Sequence, residues 1–81
     1  MRIAVLDDDR SQTDLVCQVL SAAGHACHPF QRGKELLNQL RRESFDMLII
    51  DWQVPDLSGA DVLHWAREKL PANLPVLFMT S

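Results

Sequence analysis

The chain has 81 residues, a formal net charge of −3 and 47% apolar residues. This length allows one small domain at most, and no apolar run approaches the roughly 20 residues that span a bilayer. The mild acidity and the scattered basic residues argue against a nucleic-acid-binding surface. Because the apolar run before Asp7 is also too short for a signal peptide, we expect a cytoplasmic protein without membrane contact.

The first half of the chain predicts two strands and two helices. Residues 2–6 form an aliphatic run typical of a strand that is buried on both faces. Residues 10–23 have helical spacing, and Gly24 follows where a helix end favours a left-handed residue. Residues 25–29 predict a weaker strand, and residues 32–42 predict a second helix. The apolar stripe of the first helix comprises Leu15, Val16, Val19, Leu20 and Ala23.

The second half predicts a strand, a helix and a strand. Residues 47–50 form the strongest strand pattern and end at Asp51. Pro55 and Gly59 indicate a loop, and Ser58 and Asp61 have the spacing of a variant capping box. A helix to about residue 70 follows, and residues 76–79 are a fourth strand. The inward side of this helix comprises Val62, Leu63, Ala66 and Leu70.

Strands and helices therefore alternate along the chain. This alternation predicts an α/β fold in which helices cover both faces of a parallel sheet. The cysteines, Cys17 and Cys27, lie in different predicted elements and fit no zinc or redox spacing. We favour two buried thiols over a disulfide.

Polar side chains follow three of the predicted strands. Asp7, Asp8 and Asp9 follow the first strand, Asp51 ends the third, and Thr80 and Ser81 follow the fourth. The carboxyl ends of parallel strands meet at one edge, where ligands bind. Carboxylates gathered there repel one another unless a divalent cation such as Mg²⁺, which prefers oxygen ligands, lies among them.

The same residue types suit phosphoryl transfer. An aspartate can attack phosphorus and form an acyl phosphate, and a hydroxyl such as that of Thr80 can then bond a phosphoryl oxygen. Acidic residues after strands also serve as helix caps, and this is the interpretation we favour for Asp9.

Three stretches of the sequence resemble the bacterial response-regulator receiver family. They are residues 3–9 (IAVLDDD), 48–59 (LIIDWQVPDLSG) and 75–81 (PVLFMTS), and the resemblance covers the whole chain. The middle stretch is the most specific, because an acid ends an aliphatic strand and is followed by Pro55 and Gly59. The resemblance implies a doubly wound, flavodoxin-like parallel sheet with strand order 2-1-3-4 here.

The resemblance also implies roles for individual residues. Asp51 matches the phosphoacceptor, and Asp7 and Asp8 match the acidic pair that holds Mg²⁺ together with it. Gln53 matches the position whose backbone carbonyl completes the metal site. Thr80 matches the switch hydroxyl that moves toward the phosphoryl group.

The implied function is a phosphorylation-dependent module of a two-component system. It receives a phosphoryl group from a histidine kinase or phosphotransfer protein and is read by an output domain or partner. It assists its own phosphorylation but is not a turnover enzyme. Family members continue past the fourth strand to a fifth strand that ends in a lysine, which no residue here matches. We therefore expect residues 1–81 to be a C-terminally incomplete receiver domain. Its fourth strand would form an exposed edge that allows homodimerisation or swapping.

Two alternatives remain open. The chain could be an interaction or dimerisation module whose acidic site is inactive. It could also be a hydrolase of the aspartyl-phosphate type, because Asp7 and Asp9 have the spacing that such enzymes need after the first strand. The loop from Asp51 to Gly59 has no role in that scheme, so this alternative ranks last.

Overall fold

The computed structural model describes residues 1–51, 56, 59–69 and 73–79. Strands and helices alternate in the predicted order. The strands are β1 (Arg2–Leu6), β2 (Ala26–Phe30), β3 (Met47–Asp51) and β4 (Val76–Met79), and the helices are α1 (Arg10–Ala22), α2 (Gly33–Leu40) and α3 (Gly59–Lys69). Among the described residues, no helix is long and apolar enough to cross a membrane.

The strands form one parallel sheet in the order β2-β1-β3-β4, which confirms the predicted topology. The register pairs Leu6 with Phe30 on one side and with Ile50 on the other. Asp51 pairs with Met79 across the β3–β4 ladder. All carboxyl ends therefore point toward the same edge of the sheet.

One face of the sheet carries the larger apolar cluster. Leu48 and Ile50 of β3 are fully buried there, as is Val62 of α3. Complete burial of one such side chain stabilises the fold by about 2 kcal/mol. The cluster of buried residues comprises Ala4, Leu6, Leu36, Leu40, Phe45, Leu48, Ile50 and Val62.

The opposite face carries a smaller cluster beneath α1. Its buried residues in the described chain are Ile3, Val5 and Ile49, with Val16 and Leu20 of α1 packed against them. The predicted apolar stripe of α1 is wider than the face that the helix buries. Leu15 is 56% exposed and Val19 is 62% exposed.

The ends of α1 follow from local chemistry. The carboxylate of Asp9 accepts a hydrogen bond from the Ser11 N–H at 2.9 Å and caps the first turn. Gly24 has a φ of 89°, which confirms its predicted left-handed role just after the helix.

The prediction of two free thiols is wrong. Cys17 of α1 and Cys27 of β2 form a disulfide, with their Cα atoms 5.3 Å apart. The short connection after α1 folds the helix back over β2, and this packing brings the two residues within the Cα distance that a disulfide requires. Spacing along the chain does not reveal that proximity.

The remaining differences lie at the ends of elements. The second helix ends at Leu40, so Arg41 and Arg42 follow it rather than occupying its last turn. Val62 and Ala66 are buried as predicted. Ser58 of the predicted capping box and Leu70 lie outside the described residues.

Candidate functional site

Three carboxylates meet at the carboxyl edge of the sheet. Asp7 and Asp8 directly follow β1, and Asp51 is the last residue of the neighbouring β3. Ligand oxygens from these three residues all lie within 4.8 Å of one another. The fold thus brings together residues that are 44 positions apart, as the parallel topology predicts.

Asp7 is the buried member of the cluster, with 7% of its surface exposed. Its backbone N–H donates to the Phe30 carbonyl oxygen at 3.0 Å, which extends the β1–β2 ladder by one bond. Its carboxylate accepts a hydrogen bond from the Asp9 N–H at 2.9 Å. Burial raises the pKa of Asp7, as do the neighbouring charges of Asp51 and Asp8, and these effects outweigh the Asp9 bond.

The other two carboxylates are more accessible. Asp8 is exposed and Asp51 is half-buried, so the cluster opens from a buried base toward solvent.

Asp9 has a different position from these three. Its carboxylate is engaged at the first turn of α1, and the carbonyl oxygen of Asp9 accepts hydrogen bonds from Gln12 and Thr13. The prediction that Asp9 is a helix cap is confirmed. This placement weakens the hydrolase alternative, which needs Asp9 beside Asp7 at the reacting centre.

Several predicted site residues lie outside the described part of the chain. These are Gln53, the predicted carbonyl ligand, and Thr80, the predicted switch hydroxyl. The adjacent Trp52 and Ser81 and the predicted loop residue Pro55 also lie outside it. Their roles stay predictions.

The carboxylate cluster fits a hard divalent cation. Its donors are oxygens, which Mg²⁺ prefers, and a site with few protein ligands leaves positions for water. Three like charges at such short distances also cost free energy that a cation would offset. Burial is the main cause of the raised pKa of Asp7, and the charges of Asp51 and Asp8 act in the same direction.

Asp56 and its polar neighbours lie beside the carboxylate cluster, and the sequence alone did not predict this. Asp56 accepts hydrogen bonds from the backbone N–H groups of Gly33 at 2.9 Å and Lys34 at 3.1 Å. With Asp8, Gln31 and Arg32 it also lines an open cavity of about 580 Å³ beside the cluster. No local pattern reveals this cap, because donor and acceptor are 23 and 22 positions apart.

A carboxylate cluster at the carboxyl edge of a sheet with this order defines a receiver-type domain. The profile of the response regulator receiver domain matches residues 3–81, and the chain belongs to that family. Receiver domains are regulatory phosphoacceptor domains of two-component systems rather than turnover enzymes, and they bind Mg²⁺ at an acidic pocket.

Individual relatives agree with this family. The transcriptional regulatory protein YrkP of Bacillus subtilis is 35% identical over 80 residues, which are 99% of this chain and 33% of YrkP. The DNA-binding transcriptional regulator NtrC of Escherichia coli is 34% identical over 77 residues, which are 95% of this chain and 16% of NtrC. The chain therefore spans a third or less of these curated relatives.

A solved structure shows the same fold. The response regulator TrrA of Thermotoga maritima, determined in complex with Mg²⁺-BeF, superposes with a TM-score of 0.90 at 26% identity. The match covers 98% of this chain and 68% of the TrrA chain.

Proposed function

We propose that the chain is the phosphoacceptor module of a two-component system and that Asp51 receives the phosphoryl group. The observation that carries this proposal is the position of Asp51. It ends a central strand, is half-buried, and shares a 4.8 Å cluster with Asp7 and Asp8. Family membership supports it over residues 3–81.

In this proposal Asp7, Asp8 and Asp51 hold Mg²⁺ with their carboxylates, and Gln53 adds its backbone carbonyl. The cation would supply positive charge next to phosphoryl oxygens near Asp51. The hydrogen bond from the Asp9 N–H fixes the orientation of the Asp7 carboxylate, which would help to hold the cation.

The reaction requires little of the protein beyond positioning. A carboxylate oxygen of Asp51 bonds to phosphorus while the phosphorus–nitrogen bond of a phosphohistidine breaks. The histidine nitrogen keeps the electron pair and takes up a proton. The product is an acyl phosphate, and the Thr80 hydroxyl would donate a hydrogen bond to one of its phosphoryl oxygens.

The donor would be a histidine kinase or a phosphotransfer protein, and the signal would pass to an output domain or partner. Curated relatives named as transcriptional regulators, of which this chain spans a third or less, support an output in gene control. We place the activity in the cytoplasm, where such donors and outputs act.

Phosphorylation of the protein with acetyl phosphate and Mg²⁺ tests the assignment. Mass spectrometry should locate one added phosphoryl group on Asp51, and the group should be absent when a chelator removes the metal. Asp51→Asn should abolish labelling. Asp14→Asn, which changes an exposed aspartate of α1, should leave labelling intact.

Other outcomes would contradict the proposal. A label on Asp7 would support the hydrolase alternative. A folded protein that binds Mg²⁺ and stays unlabelled would support an interaction module with an inactive site.

A further inference from the structure

The amino end of α2 lacks a cap of its own. Arg32 occupies the N-cap position and makes no side-chain capping hydrogen bond within the described chain. The first backbone N–H groups of a helix have no partner inside the helix, so they need an acceptor from elsewhere. Gly33 is buried, which makes an unpaired N–H at this position costly.

Asp56 supplies the missing acceptor from a distant segment. Its Oδ1 accepts the Gly33 N–H at 2.9 Å, and its Oδ2 accepts the Lys34 N–H at 3.1 Å. A carboxylate at a helix amino end is also favoured by the helix dipole. Burial, the largest influence, raises the pKa of Asp56, but the bonds from Gly33 and Lys34 outweigh it and leave the pKa below its ordinary value.

This contact joins α2 to the segment that carries the proposed site. Asp56 comes five positions after Asp51 and three after Gln53. Fixing Asp56 therefore fixes a residue close in sequence to the proposed acceptor. A side chain near a metal site can orient the ligands without touching the metal.

The polar contacts continue from α2 to α1 around the cluster. The Gln31 side chain donates to the Thr13 hydroxyl at 3.0 Å, and that hydroxyl donates to the Arg10 carbonyl at 3.0 Å. Thr13 is fully buried and Gln31 is half-buried. Asp8, Gln31, Arg32 and Asp56 together line the cavity beside the carboxylates.

We infer that Asp56 is a positioning residue for the phosphoacceptor site, because its carboxylate ties the segment after Asp51 to the amino end of α2. The inference rests on the proposed function, which it deepens. Under this inference, Asp56 sets how well the site is prearranged for Mg²⁺ binding and for phosphorylation of Asp51. Movement at the amino end of α2 would alter the same properties.

Two substitutions of Asp56 and one control test the inference in the full protein. Asp56→Ala removes both acceptors, while Asp56→Asn keeps one oxygen and can retain one bond. Glu35→Gln removes the same charge from the first turn of α2 at an exposed position and serves as the control. Mg²⁺ affinity by calorimetry, the initial rate of labelling by acetyl phosphate, and amide hydrogen exchange of Gly33 and Lys34 are measured for each.

Asp56→Ala should weaken Mg²⁺ binding by roughly tenfold, as loss of a group that orients metal ligands does. Asp56→Asn should show a smaller loss, Glu35→Gln none, and labelling rates should follow the same order. Exchange of the Gly33 and Lys34 amides should quicken in Asp56→Ala without metal. Melting curves define conditions in which every variant is folded, and Asp56→Asn carries the test if Asp56→Ala does not fold.

A purely structural cap gives a different result. Folded Asp56 variants with lower melting temperatures but unchanged Mg²⁺ affinity and labelling rate would overturn the inference. Equal losses in Glu35→Gln and Asp56→Asn would also overturn it, since charge alone would then be responsible. Failure of the unsubstituted protein to label at Asp51 would contradict the proposed function instead, so the two failures are distinguishable.

Discussion

The two edges of the sheet differ in the charges that surround their ionised side chains. At the carboxyl edge, three carboxylates lie within 4.8 Å of one another, and the pKa of the buried Asp7 is raised by burial and by the charges of Asp51 and Asp8. At the amino edge, Arg2 lies among groups of complementary charge. The charged neighbours described for Asp7 have the same sign as Asp7, whereas Glu43 beside Arg2 has the opposite sign, and this difference marks the carboxyl edge as the one suited to a cation.

Arg2 makes several contacts at the amino edge. Its guanidinium group pairs with the Glu43 carboxylate at 2.8 Å and donates to the Ser44 carbonyl at 2.9 Å. It also lies 5.0 Å from the centre of the Phe45 ring. Hydrogen bonds from Gln39 and then Arg2 lower the pKa of Glu43. Groups of the protein itself therefore balance the charge of Arg2.

The disulfide should have the largest effect on stability. It links α1 to the second residue of β2, close to the amino edge. In the chain-entropy account, a link that closes a loop of this size stabilises the fold by about 3 kcal/mol. Reduction should lower the free energy of unfolding in urea by about that amount, and Mg²⁺ affinity should change little because the proposed metal ligands lie at the other edge.

The double variant Cys17→Ser with Cys27→Ser is the control for this measurement. It should have the stability of the reduced protein and should not respond to reductant. Equal urea midpoints for the oxidised and reduced proteins would show that the link contributes nothing to stability.

Arg2→Ala should come next, with a loss of about 1–2 kcal/mol. This range combines a partly exposed ion pair, a carbonyl hydrogen bond and a cation–π contact, each worth up to about 1 kcal/mol. Thermal unfolding at low and high salt measures this loss of stability. The part of the loss that disappears at high salt should be smaller than the part that remains. Arg2→Lys keeps the charge but not the planar group. Its stability should lie between that of Arg2→Ala and that of the unsubstituted protein. An unchanged midpoint of thermal unfolding in Arg2→Ala would show that the contacts of Arg2 do not stabilise the amino edge.

Asp7→Asn should have the smallest effect on stability. Unlike the other changes, it should raise stability rather than lower it. The pKa of Asp7 in the folded protein is raised above its ordinary value of 3.8, so the folded state binds this proton more tightly than the unfolded chain does. The protonated Asp7 side chain contributes fully to the stability of the fold below pH 3.8. This contribution is lost as the pH rises through the raised pKa.

At neutral pH and without metal, Asp7→Asn should therefore unfold at a slightly higher temperature than the unsubstituted protein. The difference should disappear below pH 3.8. The amide oxygen can still accept the Asp9 N–H, so the local backbone bond is kept. A variant that is less stable at neutral pH would show that the carboxylate is compensated within the protein.

Much of the fold was predictable because its signals are local. Aliphatic runs predicted the four strands to within about one residue, and their alternation with helices predicted parallel pairing. Asp7, Asp8 and Asp51 could be chosen because each lies at the end of such a run. Parallel topology then implied that they meet, and the structure confirms it.

Other features depended on how the elements pack. The Cys17–Cys27 link, the exposed Leu15 and Val19, and the cap that Asp56 provides to α2 left no pattern in the sequence. Hydrophobic periodicity and strand ends are properties of neighbouring residues, so the sequence by itself determined the elements, their order and the acidic site. The disulfide and the Asp56 cap depend on which residues of a helix meet which part of the rest of the fold, and this is a result of packing, so the tertiary structure alone decided these contacts.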